Sequence, residues 1–355
     1  MFSPAAFDSD GVGDLKNTSL GSGSRHLLPP ELDHKFAVEI PAAIENFNPE
    51  EMIVTVGAAT SVSQLLNHVG EHRLTPSGIQ PDETGTVGGL FSDPRESPCD
   101  PFTGRFRDHV LGIEGLRGSG ASILAGGRVV KNVTGYDLIR LLGGAMGALG
   151  VVTRLHLRLE QAASNWAQNS CRFDDEEMSW NALDTVRRLP FEPYMIYLEP
   201  ENQRMQIILS GTKRSTLESL QLIEGVVPNT TSQQISHQEV AQIHRQKRSG
   251  EPMALRVRVP WAGWRKIAFV APGSWRSIFP SAGFGILEKV SSDEKLQQFV
   301  QIVSQLGGTV CAEDAVAEKH FQIPLVHPSP TDKLTHRLRS EWDPHSLFAW
   351  RGDHR

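Results

Sequence analysis

Residues 126–153 read GGRVVKNVTGYDLIRLLGGAMGALGVVT, and this stretch decides the fold. Its spacing predicts a short helix over residues 137–142, a glycine group over residues 143–150, and a strand that begins at Val151. A dinucleotide-binding fingerprint has the opposite order, because its glycines follow a strand and open a helix. The stretch therefore argues against an ordinary Rossmann site. It indicates close backbone packing around the glycines, either against the protein or against a ligand.

The segments on either side predict an antiparallel sheet. Residues 151–160 alternate apolar and polar side chains, which indicates a half-buried antiparallel strand. Residues 110–115 and 122–124 flank a glycine-rich turn and predict a hairpin. Upstream, we predict a strand at residues 52–56, an amphipathic helix at 62–70, and a loop rich in glycine and proline at 74–92.

The second half of the chain mixes strand and helix patterns, which predicts an α+β sheet. The composition shifts at residues 161–169, and we place a domain boundary there. The acidic run at residues 174–177 is interpreted as a solvated loop. Strands are predicted at residues 195–198, 205–209 and 255–259, and helices at residues 216–224, 239–248, 293–306 and 332–340.

Six of the seven tryptophans lie beyond residue 170. Trp261, Trp264 and Trp275 lie among prolines, glycines and arginines, a setting more typical of a surface loop than of a core. Aromatic and arginine side chains are enriched in protein interfaces. We therefore expect this stretch, or the C-terminal tail with Trp350, to contact a partner subunit, although core packing would account for most of these tryptophans.

Composition excludes several classes of protein. The chain has 355 residues, a net charge of −6 and 39% hydrophobic residues, which is ordinary for a soluble globular protein and disfavours a nucleic-acid binder. Its three cysteines, Cys99, Cys171 and Cys311, contain no CxxC pair and predict neither a disulfide framework nor an iron–sulfur cluster. We see no signal peptide or transmembrane segment, and expect a cytoplasmic protein, with peripheral membrane association only through a complex.

Three glycine groups are candidates for ligand contact. Glycine lets backbone N–H groups approach a phosphate or a flat ligand closely. The alternatives are a flexible linker for the first group and a plain tight turn for the second. The first group is Gly21, Ser22, Gly23 and Ser24; the second is Thr86, Val87, Gly88 and Gly89; the third is residues 143–150.

The stretch at residues 126–153 resembles the FAD-linked oxidases of the vanillyl-alcohol-oxidase type. Within them it is most similar to the FAD-binding E subunits of bacterial glycolate oxidases. The string KNVTGYDL at residues 131–138 carries most of the resemblance, and residues 86–89 match the second flavin motif of the family. Residues 98–112 keep the E-subunit spacing, and residues 338–348 resemble the closing segment of the family.

The resemblance implies a fold and a set of cofactor-binding residues. It implies a PCMH-type FAD-binding domain of two α/β subdomains at residues 1–162, an α+β cap domain at 163–330, and a C-terminal helix and tail at 331–355. FAD would be bound non-covalently, because no histidine or cysteine lies in a clear attachment motif. The residues that would bind it are Gly21, Ser22, Gly23, Ser24, Thr86, Val87, Gly88, Gly89, Lys131, Asn132, Tyr136, Asp137, Gly147, Gly150, Val151 and Val152.

The resemblance also implies a function in a complex. The chain would be the FAD-binding subunit of a glycolate oxidase that converts a 2-hydroxy acid, glycolate, to glyoxylate. Its partners would be a related D-type flavin subunit, where hydride abstraction would occur, and an F-type iron–sulfur subunit. No catalytic base is identified in this chain. Two alternatives stay open: a flavin-free scaffold of the same complex, and a stand-alone FAD oxidoreductase acting on an alcohol or sugar.

Two departures from the family pattern favour the scaffold alternative. Where the E subunits have Ser-Gly-Pro-Arg-Arg, this chain has Glu-Ser-Pro-Cys-Asp at residues 96–100. We expect the loss of two cations to weaken anion binding there, since a charge-assisted hydrogen bond contributes roughly 1.5–3 kcal/mol. Only 20 residues precede Gly21, fewer than the family has before its first glycine loop, and we expect either a shortened first subdomain or a misplaced start of the sequence.

Overall fold

A computed structural model describes residues 40–80, 83–93, 96–127, 137–248, 250–290, 293–324 and 332–344. Within these residues the strands form two sheets, and every strand pair between named strands is antiparallel. Helices pack against both sheets. The predicted α+β fold class is confirmed.

The first sheet has six strands in the order β1-β2-β6-β4-β5, and β3 pairs with β6. β6 is its centre, because its eleven residues pair with β2, β3 and β4. The strands are β1 (Ile44–Asn48), β2 (Ile53–Gly57), β3 (Leu74–Pro76), β4 (Val110–Leu116), β5 (Ser122–Gly126) and β6 (Val151–Gln161). The accompanying helices are α1 (Val62–Gly70), α2 (Val87–Ser92), α3 (Asp100–Thr103) and α4 (Leu138–Leu142).

The first core lies between this sheet and its helices. α1 begins at Ser61, whose hydroxyl oxygen accepts a hydrogen bond from the Gln64 N–H (3.1 Å). It buries Val62, Leu65 and Val69, at the spacing that the sequence predicted. The predicted strand, hairpin and helix are all observed here. The predicted loop at 74–92 instead contains β3 and α2, because these elements are too short to show an apolar period.

The second sheet has eight strands in the order β10-β7-β9-β8-β12-β13-β11-β14. Its strands are β7 (Asn165–Arg172), β8 (Met195–Glu199), β9 (Arg204–Gly211), β10 (Thr230–Ile235), β11 (Leu255–Arg258), β12 (Ser274–Phe279), β13 (Phe284–Glu288) and β14 (Thr309–Ala312). The later helices are α5 (Glu176–Val186), α6 (Lys213–Val226), α7 (His237–Arg248), α8 (Trp261–Ile267), α9 (Asp293–Gln305), α10 (Ala315–Phe321) and α11 (Asp332–Trp342).

Both faces of the second sheet carry buried side chains. The second core contains residues of α5, α6, α8, α9 and α10, including Trp180, Ile223 and Phe299. A third cluster contains Tyr197 and Phe284 of the sheet and Val240 of α7. Cys99, from the segment before α3, is part of this third cluster. Apolar packing therefore joins the two sheets.

Two local predictions need correction. The acidic run at residues 174–177 starts α5: the Asp175 carboxylate accepts from the Met178 N–H (2.7 Å), and Glu176 and Glu177 lie in the first turn. Carboxylates there are stabilised by the helix dipole. β6 is the strand that was predicted to be half-buried, with its polar side exposed. His156 lies on that polar side but is only 8% exposed, and its Nδ1 forms a hydrogen bond with the Thr55 hydroxyl (2.9 Å).

The tryptophan stretch lies in the core, and its predicted surface placement is wrong. Trp264 and Trp275 are 0% and 5% exposed, and their rings meet edge to face at 5.7 Å. The proline that indicated a loop, Pro260, is the N-cap residue of α8. Gly263 leaves space for Val259, because a Cβ added at Gly263 would lie only 3.0 Å from the Val259 Cβ. These loop-forming residue types therefore start and pack a helix.

The last described helix returns to the first core. Leu338 and Trp342 of α11 pack against it, and the Arg117 guanidinium lies 4.5 Å from the centre of the Trp342 ring. The Ser119 N–H donates to the Trp342 carbonyl oxygen (3.3 Å). In the described ranges, no helix combines the length and the apolar character that crossing a bilayer requires.

Replacing Trp264 tests the corrected placement. We expect Trp264→Ala to lower the free energy of unfolding by about 3–5 kcal/mol, because it leaves a large cavity in the second core. Trp261→Ala is the matched control, since Trp261 only borders that core and covers the Arg187 guanidinium. Urea unfolding followed by circular dichroism measures both. Equal unfolding midpoints for Trp264→Ala and the wild type would contradict the core placement.

Candidate functional site

The second glycine group and the start of β6 meet at Ala58, directly after β2. The Gly88 N–H donates to the Ala58 carbonyl oxygen (2.8 Å), and the Ala58 N–H donates to the Thr153 carbonyl oxygen in β6 (2.8 Å). Thr86 caps α2, since its hydroxyl oxygen accepts from the Gly89 N–H (3.1 Å). The structure therefore joins residues 86–89 to the start of β6.

Gly88 is required by the protein itself. A Cβ added there would lie 2.7 Å from the Ala58 Cβ and 2.9 Å from the Ala58 oxygen. Its φ is not in the left-handed region, so backbone conformation is not the reason for glycine. We therefore expect a larger side chain at Gly88 to disrupt the packing of α2 on Ala58, at the end of β2.

The third glycine group forms a turn against the end of α2. The Gly144 N–H donates to the Phe91 carbonyl oxygen (3.0 Å), and the Met146 N–H donates to the Ser92 carbonyl oxygen (2.9 Å). Gly147 has a φ of +79°, and an added Cβ would meet no atom within 4 Å. The group thus leaves open space at Gly147, beside α2.

Gly150 and its neighbours lie deeper in the fold. An added Cβ at Gly150 would lie 2.9 Å from the Leu116 carbonyl oxygen and 2.9 Å from Ile123. Val151 and Val152 are 5% and 8% exposed. Packing against the β4–β5 hairpin therefore accounts for these three positions.

Residues 96–100, which we call the junction segment, join the first sheet to the second. The Arg258 Nε donates to both carboxylate oxygens of Glu96 (2.8 and 2.9 Å). The Ser97 hydroxyl lies 3.0 Å from the His244 Nε2, and Cys99 is fully buried. The departures from the family pattern therefore serve contact between the two sheets.

A cavity of about 60 Å³ lies beside the junction segment. Leu90 of α2 and Gln80 line it, and the hydroxyl of Tyr194, directly before β8, donates to the Gln80 Oε1 (2.6 Å). Its lining also includes charged side chains of both signs: Glu83, Glu96, Asp100, Arg105 and Arg107. Anions and cations are therefore both present where the sequence suggested a loss of positive charge.

Comparison with known proteins identifies the relatives of the chain. It is 33% identical to the glycolate oxidase subunit GlcE of Escherichia coli over 143 residues, which are 39% of this chain and 41% of GlcE. It is 29% identical to a D-lactate dehydrogenase of Archaeoglobus fulgidus over 164 residues, 46% of this chain and 37% of that enzyme. Over less than half of its length, the chain is thus similar to FAD-linked oxidoreductases.

Further comparisons support this relationship and define its extent. The chain is 45% identical to the GlcD subunit of Bacillus subtilis over 74 residues, 21% of this chain and 16% of GlcD. Each of these matches covers less than half of the relative's length. The fold resembles a solved alkyldihydroxyacetonephosphate synthase, with a TM-score of 0.60, 11% identity, and coverage of 87% of this chain and 65% of that one. No family model matches the sequence.

The structure brings together part of the set expected in an FAD-linked oxidoreductase. Residues 86–89 and Gly147 lie at the two ends of α2, while Gly150, Val151 and Val152 are buried against the β4–β5 hairpin. Asp137 is exposed and caps α4, because its carboxylate accepts from the Arg140 N–H (3.0 Å). Outside the described residues lie Gly21, Ser22, Gly23, Ser24, Lys131, Asn132 and Tyr136.

Sequence reasoning missed the residues that face the site from the second sheet. Arg258 and Arg256 were visible as the polar side of an alternating strand, but nothing in the sequence connects them to Glu96, 162 residues from Arg258. His244 lies on a helix that was predicted, and its contact with Ser97 depends on tertiary structure. Among the described residues, no group of histidine, cysteine and carboxylate side chains forms a metal site.

The carboxyl group of Asp100 has a raised pKa. Burial raises its pKa from 3.8 to about 6, although the Ser97 N–H and Arg105 act in the opposite direction. The folded protein therefore binds this proton more tightly than the unfolded chain does. It follows that the free energy of unfolding decreases as the pH rises from about 4 to about 6.

Asp100→Asn should remove this dependence while keeping an oxygen that accepts from the Ser97 N–H. Relative to the wild type, we expect the variant to gain about 2 kcal/mol of stability between pH 4 and pH 7, because most of the difference between the two pKa values falls in that range. Urea unfolding at a series of pH values measures this. Asp314→Asn is a control, because helix capping lowers the pKa of Asp314, so its difference in stability from the wild type should change mainly below pH 4 and stay nearly constant between pH 4 and pH 7. If the difference in free energy of unfolding between Asp100→Asn and the wild type stayed constant from pH 4 to pH 7, the raised pKa of Asp100 would be refuted.

Proposed function

We propose that this protein is the FAD-binding subunit of a complex that oxidises a 2-hydroxy acid, with glycolate as the substrate. The observation that carries the proposal is the 33% identity to GlcE over 143 residues. The other relatives support the substrate class, since lactate and 2-hydroxyglutarate are also 2-hydroxy acids. In this proposal the first sheet belongs to the FAD-binding domain of residues 1–162, and the second sheet belongs to the cap domain of residues 163–330.

The described residues fit a bound FAD at one place. Gly147 has open space where a Cβ would meet no atom, and Gly88 and Gly89 of α2 are only half-buried. Residues 86–89 and Gly147 would hold the cofactor along the two ends of α2. Bound FAD would supply the acceptor for the two electrons removed from the 2-hydroxy acid. Lys131, Asn132 and Tyr136, with residues 21–24, complete the proposed binding set.

The partners follow from the electron balance. Two electrons that leave a 2-hydroxy acid must pass from the flavin to an acceptor, which in this proposal is another redox centre. This chain has three cysteines in total, which are fewer than an ordinary cysteine-bound cluster needs. An F-type iron–sulfur subunit would supply that route, and a D-type flavin subunit would carry out the hydride abstraction. A cytoplasmic location, with membrane association through the complex, is part of the same proposal.

A specific observation favours the flavin-free scaffold as the second candidate. Glu96 stands where the E subunits have a small residue, and it is engaged by Arg258. The junction segment thus contributes contacts between the sheets whether or not a cofactor is present. Flavin content separates the two candidates.

We expect the purified protein to release FAD when it is denatured. Cys99, Cys171 and Cys311 are all buried, so none offers an exposed thiol for a covalent bond. After denaturation and filtration, the yellow colour should pass through the filter. Colour that stays with the polypeptide would contradict non-covalent binding, and a colourless native protein would support the scaffold.

The variant Gly147→Asn tests the location of the cofactor. A side chain there would fill the open space, and we expect roughly tenfold weaker flavin binding, which corresponds to about 1.4 kcal/mol. Gly307→Asn is the matched control, since Gly307 has a φ of +74° and also meets no atom within 4 Å. Asparagine tolerates the left-handed region at both positions. Equal flavin affinity in the two variants, measured by titrating the apoprotein with FAD, would exclude Gly147 from the site.

A further inference from the structure

A groove on the second sheet's helical side shares no lining residue with the cavity beside the junction segment. One wall is a face of α9, and the other is the loop at residues 270–273. Its volume is about 580 Å³. The α9 side chains in it follow one helical stripe, at positions i, i+3, i+4 and i+7: Lys295, Gln298, Phe299 and Ile302. We call this the α9 groove.

The rim of the α9 groove is apolar and exposed to solvent. Val270 and Ile302 are 62% and 41% exposed, and the adjacent Phe269 is 37% exposed. Phe299, at 2%, belongs both to the groove lining and to the second core. Exposed apolar side chains that lie together on a soluble protein mark interaction sites. The concave shape suits an inserted side chain better than a flat lipid surface.

The charge of the groove determines the kind of segment that fits it. The charged residues that line it are Lys289 and Lys295, both basic, although the chain has a net charge of −6. A second copy of this chain packed by two-fold symmetry would place the same lysines against each other. A segment with an apolar side chain flanked by carboxylates matches both the rim and the lysines.

We propose that the α9 groove docks an acidic segment of a partner subunit, with one apolar side chain inserted between Val270 and Ile302. The identity of that partner rests on the proposed function. The segment would belong to the D-type or F-type subunit of the complex. Because carboxylates and lysines would meet at the rim, assembly should weaken as the salt concentration rises.

The test compares two double variants in a co-expression experiment. Lys295→Glu with Ile302→Asp changes the groove. Lys213→Glu with Leu217→Asp is the matched control on α6, where Leu217 is 42% exposed and Lys213 is also exposed. Each tagged chain is co-expressed with the D-type and F-type subunits of the same host, and the co-purified subunits are quantified after size-exclusion chromatography.

We expect the wild type and the control to assemble, and the groove variant to recover roughly tenfold less partner with an unchanged melting temperature. Assembly of the groove variant at wild-type levels would overturn the proposal, as would failure of the wild type to assemble. Groove-dependent binding to phosphatidylglycerol vesicles, with assembly unaffected, would also overturn it. The flavin content of the isolated wild-type chain tests the proposed function separately.

Discussion

The contact between Glu96 and Arg258 is the constraint on which the arrangement of the two sheets depends. Both oxygens of the carboxylate accept from the same guanidinium nitrogen, and both side chains are about one-third exposed. Because both charges stay partly hydrated, the pair alone contributes modestly, and it sets the position of the junction segment together with Cys99, which is buried in the third cluster. The Ser97–His244 and Tyr194–Gln80 hydrogen bonds lie on the same junction and act in the same direction.

This junction also changes how the departures from the E-subunit pattern are understood. A carboxylate in place of a small residue, and the loss of two arginines, reduce the positive charge of the segment. The structure compensates locally, because Arg258 neutralises Glu96 and because Arg105 and Arg107 line the neighbouring cavity. The same arrangement raises the pKa of Asp100, because its carboxyl is buried and lies near Glu96 and Glu83. A cofactor bound beside α2 would therefore lie close to a group that exchanges a proton near pH 6.

Local pattern was enough to predict most of the elements. The α1 stripe, the β4–β5 hairpin, β6 and the order of helix, glycine turn and strand at residues 137–153 all follow from side-chain periodicity and turn residues. Two errors had one cause: residue types that usually mark loops also start helices. Asp175 and Pro260 stand at the N-caps of α5 and α8. At the candidate site, the sequence identified the right segments but not the reason for each glycine, because the contact of Gly88 with Ala58 depends on tertiary structure.

The position of α11 has a consequence for how the chain is made. The first core contains residues from both ends of the described chain, since Leu338 and Trp342 cover part of it. All eight strands of the second sheet lie between those two parts in sequence. During synthesis, the first core therefore stays open along the edge next to Arg117 until residue 342 has left the ribosome. The second sheet, whose strands are contiguous in sequence, can close earlier, so the order of folding need not follow the order of translation.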